Sequence, residues 1–215
     1  MADLAGWRVL VTAGGTREPI DPVRYIGNRS SGKMGNAIAE AAADRGAAVT
    51  LITTVTPPDF EGSVIEVETA DQMAEAVWSM NDQDVVVMAA AVADFRPAAV
   101  HEAKLSRRDG PPVIELEPTP DILAGVVERA TGATIVGFAA ETGSLDRAVA
   151  KALDKGVDVL VANDVLAEGS GFGTTTNAVT VILADGSSQP WPLMSKREVA
   201  DRLLDLLLAM RSGSD

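Results

Sequence analysis

The stretch WRVLVTAGGTREPIDPVRYIGNRSSGKMGNAIAEAAADRGAAVTLI, residues 7–52, changes its hydrophobic period twice. Trp7 to Thr12 is a near-continuous apolar run of strand length, the pattern of a strand buried on both faces. Ser31 to Arg45 is alanine-rich with apolar residues at helical spacing, and Gly46 stops it. Ala47 to Ile52 returns to strand character. A strand, a long loop, a helix and a strand in this order form the βαβ unit with which a doubly wound sheet begins.

The alternation continues down the chain. Val64 to Val67 reads as a strand, Ala70 to Met80 as a helix, and Asp84 to Ala91 (DVVVMAAA) as another strand buried on both faces. Asp121 to Ala130 is predicted to be helical and Thr134 to Phe138 a strand. Ser144 to Lys155 is predicted to be a helix between a Ser144 cap and a Gly156 stop, followed by a strand from Val157 to Ala162. Ala178 to Leu183 and Ser188 to Pro192 flank Asp185-Gly186, the sequence of a β-hairpin turn. Ser195 to Met210 is an amphipathic closing helix, and the polar tail behind it is expected to fray. Residues 96–120 show little period and read as a loop or flap. The expectation is one domain, residues 1–215, with a Rossmann-like α/β fold: a doubly wound, mostly parallel sheet, a C-terminal hairpin and a flap loop.

Composition excludes several classes of function. The chain has 215 residues and is 47% hydrophobic, enough for one sizeable core, yet no apolar run reaches the roughly 20 residues of a membrane span. The opening MADLAGW has neither the basic nor the apolar region of a signal peptide, so a cytoplasmic protein with no membrane partner is expected. With no cysteine and a single histidine, His101, thiolate chemistry and multi-histidine metal sites are out. A net charge of −13 opposes nucleic-acid binding, which relies on a basic face. Three local groups of cations run against that charge: Arg24 to Lys33, Lys104 to Arg108, and Lys151 with Lys155. They suit a small polyanion.

GNRSSGKMG, residues 27–35, approximates a Walker loop but has Met34 where a hydroxyl would hold Mg²⁺, and about fifteen residues separate it from the preceding strand. Asn28, Ser30 and Ser31 nevertheless precede a helix whose first-turn N–H groups are unpaired and positively polarised, and Gly32 and Gly35 allow close approach of an anion. A simple Ser30 or Ser31 cap with glycines for packing is the plainer alternative. Gly14 and Gly15 lie at the carboxyl end of the first strand, where such sheets bind ligands, and fit a ligand-facing or a plain turn equally. In AAAVADFRP small residues let a flat ligand lie against backbone, and Asp94 follows as a possible Mg²⁺ ligand. Lys104 with Arg107 and Arg108 reads as a solvated charge run or a cationic flap over phosphates. Lys151 and Lys155 share one helix face near its C-terminus, a place that also favours cations through the dipole.

Taken in order, TAGGTREPIDPVRYIGNRSSGKMG, AAAVADFRP, a lysine ten residues past Asp94, PTPDIL, VGFAAET, KALDK and VANDV resemble the phosphopantothenoylcysteine synthetase family. The resemblance runs from about Trp7 to the closing helix, and family members usually form the C-terminal half of a bifunctional bacterial coenzyme A biosynthesis protein. It implies a ligase that joins 4'-phosphopantothenate to L-cysteine through an acyl-cytidylate, consuming CTP and requiring Mg²⁺. It further implies a homodimer and a fused or associated flavin-dependent decarboxylase domain, which this stretch of sequence lacks.

Residue by residue, the resemblance casts Asn28 and Lys104 as catalytic, Asn28 handling the acyl-cytidylate and Lys104 assisting activation from the flap. Gly14, Ser30, Gly32 and Gly35 correspond to nucleotide-phosphate positions, and Phe138 and Asn163 to further nucleotide contacts. Ala89, Ala90 and Asp94 fall in the stretch that binds nucleotide and pantothenate, with Ala91 on the pantothenate side and Asp94 as the metal candidate. Pro120, Asp121, Ile122, Leu123, Lys151 and Lys155 correspond to CTP recognition. Arg24 corresponds to an arginine that reaches the neighbouring subunit's pantothenate site. The flap departs from many bacterial members: Lys104-Leu105-Ser106-Arg107-Arg108 stands where they carry Lys-Ile-Lys-Lys. A nicotinamide-dependent reductase is the rival enzyme, weakened by the absence of GxGxxG after the first strand and of a lysine four residues after Tyr25. A non-catalytic nucleotide-binding module is the other alternative.

Overall fold

The computed structural model describes residues 2–129, 132–142 and 155–212. Its central element is β1 (Arg8–Ala13), where Val9, Leu10 and Val11 have no exposed surface. β4 (Ala48–Thr53) pairs in parallel on one side of it, register Val9 to Val49, and β6 (Val85–Met88) on the other, register Val9 to Val85. The sheet extends past β4 to β5 (Ser63–Glu66), and past β6 to β9 (Thr134–Glu141) and β10 (Val159–Asp164), all parallel. An antiparallel hairpin of β11 (Thr176–Leu183) and β12 (Ser188–Ser195) closes the far edge, giving the order β12-β11-β10-β9-β6-β1-β4-β5. The parallel strands thus run outward from β1 in both directions, and the reversal falls between β1 and β6. This is the topological switch point at which doubly wound sheets bind ligands.

Burial of both faces explains the apolar strands. α1 (Lys33–Asp44) and α4 (Lys196–Ser212) pack together over one face, through Ile38, Ala41, Leu203 and Leu204. α2 (Ala70–Trp78) and α3 (Ile122–Arg129) cover the other, with Met73, Val77 and Val126. Each helix places an apolar stripe on the sheet and polar residues outward. Gly35 sets the closest contact: a Cβ there would lie 2.6 Å from the Thr12 carbonyl oxygen and 2.7 Å from Ala13 Cβ, so α1 rests directly on β1.

Some expectations need correction. The strand expected over Asp84 to Ala91 leaves the ladder after Met88. From there the Thr12 hydroxyl accepts from Ala90 N (3.1 Å) and the Thr16 hydroxyl from Ala93 N (2.9 Å), so side chains replace strand pairing as the chain splays. The loop between β1 and α1 contains a ribbon of β2 (Arg17–Pro19) and β3 (Tyr25–Gly27), and the flap is rooted in a second ribbon, β7 (Phe95–Pro97) and β8 (Leu116–Pro118). Each strand spans three residues, too few for an alternation to be read. The helix expected over Ser144 to Lys155 lies outside the described residues apart from Lys155, as does the end of the tail. Among the described residues, no helix is long and apolar enough to cross a membrane.

Candidate active site

At the switch point the paired ladder of β1 and β6 ends at Thr12 and Met88, and their continuations are joined by one bridge between Gly15 and Ala91 and by the Thr12 and Thr16 hydroxyls. Beside this point lies a cavity of about 440 Å³. Asn28 to Met34 border it apart from Arg29, with Ala89 to Val92, Asp94, Phe138 and Asn163. Nine of the expected site residues therefore meet here: Asn28, Ser30, Gly32, Ala89, Ala90, Ala91, Asp94, Phe138 and Asn163. Gly14 stands just behind, its backbone N 3.3 Å from where a Cβ of Gly32 would be. Gly35 is buried against β1 and serves packing rather than an opening toward an anion.

The helix start is uncapped by any side chain. Gly32 occupies the N-cap in the left-handed region (φ 74°), and neither Ser30 nor Ser31 caps α1. Ser30 Oγ instead accepts from Gly32 N at 3.4 Å. The plainer alternative, a serine that simply caps this helix, is not what the structure has: the N-terminus carries polarised N–H groups without a side-chain cap, the arrangement that receives an anion.

Asn28 has a more specific part than the sequence indicated. Its Nδ2 donates to the carbonyls of Ala91 and Val92, both at 3.1 Å, clamping the β6 end to the helix-leading loop. Both amide hydrogens are committed to these carbonyls, so Asn28 would meet an acyl-cytidylate through Oδ1 rather than as a donor. Oδ1, an acceptor, has no partner among the described residues. Asp94 is exposed at the rim, and its carboxylate also has no partner among them.

Two expected residues stand apart. Arg24 and Lys104 line a separate concavity of about 880 Å³ with Leu105, Ser106 and Arg107. Asp21 builds this corner. Its buried carboxylate accepts from Val23 N and Arg24 N (2.9 Å each) and from Leu105 N (3.1 Å), and pairs with the Arg24 guanidinium. The Arg24 hydrogen bond holds the Asp21 carboxyl well below the usual carboxylate range, against the opposing effect of burial. Arg24 also donates to the Leu105 carbonyl at 3.0 Å, so one acidic residue ties the flap to the β2–β3 ribbon.

Of the residues expected to recognise CTP, Ile122 is buried in the core, and Asp121 starts α3 by accepting from Ala124 N at 3.1 Å. Lys155 pairs with the Asp121 carboxylate. Thr119 Oγ1 donates to the Ala93 carbonyl at 2.5 Å, which fastens the Pro120 to Leu123 stretch to the turn carrying Asp94. Lys151 lies outside the described residues.

The sequence reading missed the far wall of the cavity, made by Gly171, Phe172, Asn177 and Lys196. Lys196 is only 7% exposed, and its Nζ donates to the carbonyls of Gly171 (3.1 Å) and Thr174 (2.9 Å). Burial, with the nearby Lys33 adding repulsion, draws its ammonium pKa below the ordinary lysine value. One signal was available: a lysine at the first position of a helix, where the dipole disfavours cations.

With this geometry established, the comparisons with known proteins are decisive. Residues 4–210 match the family described as the DNA/pantothenate metabolism flavoprotein C-terminal domain. The chain belongs to that family. Coenzyme A biosynthesis bifunctional protein CoaBC of Mycobacterium bovis is 49% identical over 98% of this chain and 54% of its own length. The protein of the same description from Bacillus subtilis is 44% identical over 97% of this chain and 53% of its own. The chain spans about half the length of these curated relatives. A crystal structure of the C-terminal domain of a CoaBC protein superposes with a TM-score of 0.82 at 41% identity, covering 99% of this chain and all of that one. The doubly wound, mostly parallel α/β sheet is therefore the architecture of this flavoprotein C-terminal domain.

Proposed function

We propose that this chain is the synthetase unit of coenzyme A biosynthesis. It ligates 4'-phosphopantothenate and L-cysteine with CTP and Mg²⁺, as a cytoplasmic homodimer working beside a flavin-dependent decarboxylase unit. The observation that carries this reading is the cavity at the β1–β6 switch point. It brings an uncapped helix N-terminus together with Asn28 and Asp94. The relatives named as bifunctional proteins of coenzyme A biosynthesis support it further.

A carboxylate is a poor acyl donor. In the first step its oxygen attacks the α-phosphorus of CTP, the bond to the β-phosphate oxygen breaks, and pyrophosphate leaves with the electron pair. The N–H groups at the start of α1 are suited to hold phosphate oxygens, and Lys104, from the flap, to neutralise the charge that develops there. Mg²⁺ would neutralise charge on the phosphate oxygens. A lone, unpartnered Asp94 fits such an ion, which keeps waters and phosphate ligands rather than an all-protein cage. No cluster of three or more His, Cys, Asp or Glu that could hold a metal occurs among the described residues.

In the second step the cysteine amine adds to the acyl carbon, loses a proton, and CMP departs with the anhydride oxygen. Asn28 Oδ1 is free to accept a hydrogen bond from that amine, while Nδ2 fixes the Ala91 and Val92 carbonyls that form the substrate wall.

Two observations support the dimer. Arg24 and Lys104 sit in a concavity separate from the central cavity, so a complete site calls for a second subunit. Val23, Tyr25, Phe95 and Leu116, on or beside the two adjoining ribbons, each leave half or more of their surface exposed, an apolar patch that a partner would cover.

The deciding experiment measures pyrophosphate release with 4'-phosphopantothenate and Mg²⁺, comparing CTP with ATP, with and without cysteine. Release with CTP, and amide product only when cysteine is added, is expected. No release with either nucleotide from folded protein refutes the ligase reading and leaves a nucleotide-binding module.

A further inference from the structure

The protein carries a net charge of −13, yet two lysines that line the cavity, Lys33 and Lys196, form no salt bridge among the described residues. Lys33 and Lys196 are the first residues of α1 and α4, the two helices that pack against each other. Both lysines line one cavity, where the uncapped start of α1 adds partial positive charge. The α4 start is capped, Ser195 Oγ accepting from Glu198 N (3.1 Å) and the Glu198 carboxylate from Ser195 N (2.7 Å), so there the positive group offered to the cavity is the Lys196 ammonium. Lys33 Nζ donates to the Gly173 carbonyl at 2.7 Å, and Lys196 Nζ to those of Gly171 and Thr174. Neither has a carboxylate partner among the described residues. An ammonium carries three donor hydrogens, so at least one on each lysine has no acceptor among the described residues.

A third group points the same way. Asn177 is 4% exposed and lines this cavity. Its Oδ1 accepts from Ser170 Oγ (2.6 Å) and Gly171 N (3.4 Å), which fixes the amide orientation. Its Nδ2 has no partner among the described residues. A buried lysine at a helix start, repelled by a second lysine and faced by an amide with free donors, is costly in the absence of an anion. The carbonyls that hold the lysines supply dipoles and no charge, so they position the cations without neutralising them.

We infer that Lys196, with Lys33 and Asn177, forms the subsite for the outer phosphates of the nucleoside triphosphate and so holds the pyrophosphate that leaves. The inference rests on the nucleotide-activation reading and extends it. The α1 N-terminus takes one part of the polyphosphate, and the Lys196 ammonium with the Asn177 amide takes the remainder. When the α-phosphorus bond breaks, negative charge grows on the β-phosphate oxygen. A desolvated ammonium already in place stabilises it without reorganisation. The residues 169–174 are then the frame that aims Lys196, rather than a connecting loop alone.

The test compares binding of CTP, CMP and inorganic tripolyphosphate to wild type, Lys196→Met, Lys196→Arg and Lys33→Gln by calorimetry, with thermal melts as a folding control. Lys196→Met is expected to weaken CTP and tripolyphosphate by about 10- to 100-fold, the worth of one or two charge-assisted hydrogen bonds, and to leave CMP nearly unchanged. Lys196→Arg should restore most of the loss. Should Lys196→Met fail to fold, the exposed Lys33→Gln carries the same prediction at about 5-fold or more. Equal weakening of CTP and CMP would make Lys196 a loop tether and overturn the inference, as would no change for any probe. Lysine-dependent binding of tripolyphosphate without binding of CTP would uphold the polyphosphate subsite and refute the nucleotide reading. Wild type that binds none of the three probes would refute both.

Discussion

Replacing Gly35 by alanine sets two effects of opposite sign against each other. In an isolated helix the change stabilises by about 1 kcal/mol, because alanine has less backbone freedom to lose. Here the new methyl would sit 2.6 Å from the Thr12 carbonyl oxygen, 2.7 Å from Ala13 Cβ and 3.0 Å from Ala13 Cα. None of these atoms ends a flexible side chain, and the strand that carries them has no exposed surface at Val9, Leu10 or Val11. Restoring ordinary contact near 3.4 Å requires α1 to retreat by about 0.8 Å. Overpacking of this kind costs about 1–3 kcal/mol, and rigid neighbours put this site at the upper end. Net of helix propensity, about 2 kcal/mol of destabilisation remains, or about 4–8 °C in Tm for a chain of this size. Urea and thermal denaturation of Gly35→Ala would measure it. The same retreat pulls the α1 N-terminus away from the cavity, so phosphate binding should weaken as well. A variant as stable as wild type, or more stable, would show that propensity prevails and that α1 does not rest on β1 as described.

Asp21→Asn should release the flap, so that trypsin at neutral pH cleaves faster after Lys104, Arg107 or Arg108; an unchanged rate would refute the tether. Because Arg24 depresses the Asp21 carboxyl, its stabilisation is complete above the unfolded value near pH ~4 and is lost as pH falls through the lower folded-state value. The stability gap between wild type and Asp21→Asn should accordingly narrow below that pH. Lys155→Gln, which leaves Asp121 without this cation, is expected to weaken CTP by about 10-fold more than ATP, and an unaltered preference in competition binding would remove Lys155 from base recognition. Asp94→Asn should raise the Mg²⁺ concentration for half-maximal pyrophosphate release by about 10-fold, and an unchanged Mg²⁺ dependence would place the ion on the nucleotide alone.

Sequence and structure divide the site between them in a way that physics explains. The β1, α1 and β4 elements, the buried strands and the closing hairpin were legible because each is long enough to show its period, with a glycine, cap or Asp-Gly turn at its ends. The residues from Asn28 to Gly32 and from Ala89 to Asp94 were legible as well, since they lie in contiguous stretches at strand ends and a helix start. The ribbons β2–β3 and β7–β8 were not, for a three-residue strand has no period. Asn28 was found, but its chemistry changed once the Ala91 and Val92 carbonyls were seen to occupy its amide hydrogens.

The amino-acid sequence by itself determined the alternation of strands and helices, and with it the parallel sheet, because burial on both faces demands continuous apolar strands and amphipathic covers. It also determined that the chemistry uses lysines, carboxylates and amides, because cysteine is absent and histidine single. Only the tertiary structure decided that Lys196 lines the same cavity as Lys33, more than 160 residues earlier in the chain. It likewise decided that Asp21 ties down the flap and that Arg24 and Lys104 lie in a concavity apart from the central cavity. Periodicity is a local property that each segment carries alone. The meeting of Lys33 and Lys196 depends on how their helices pack across one sheet, and nothing in either segment specifies the other.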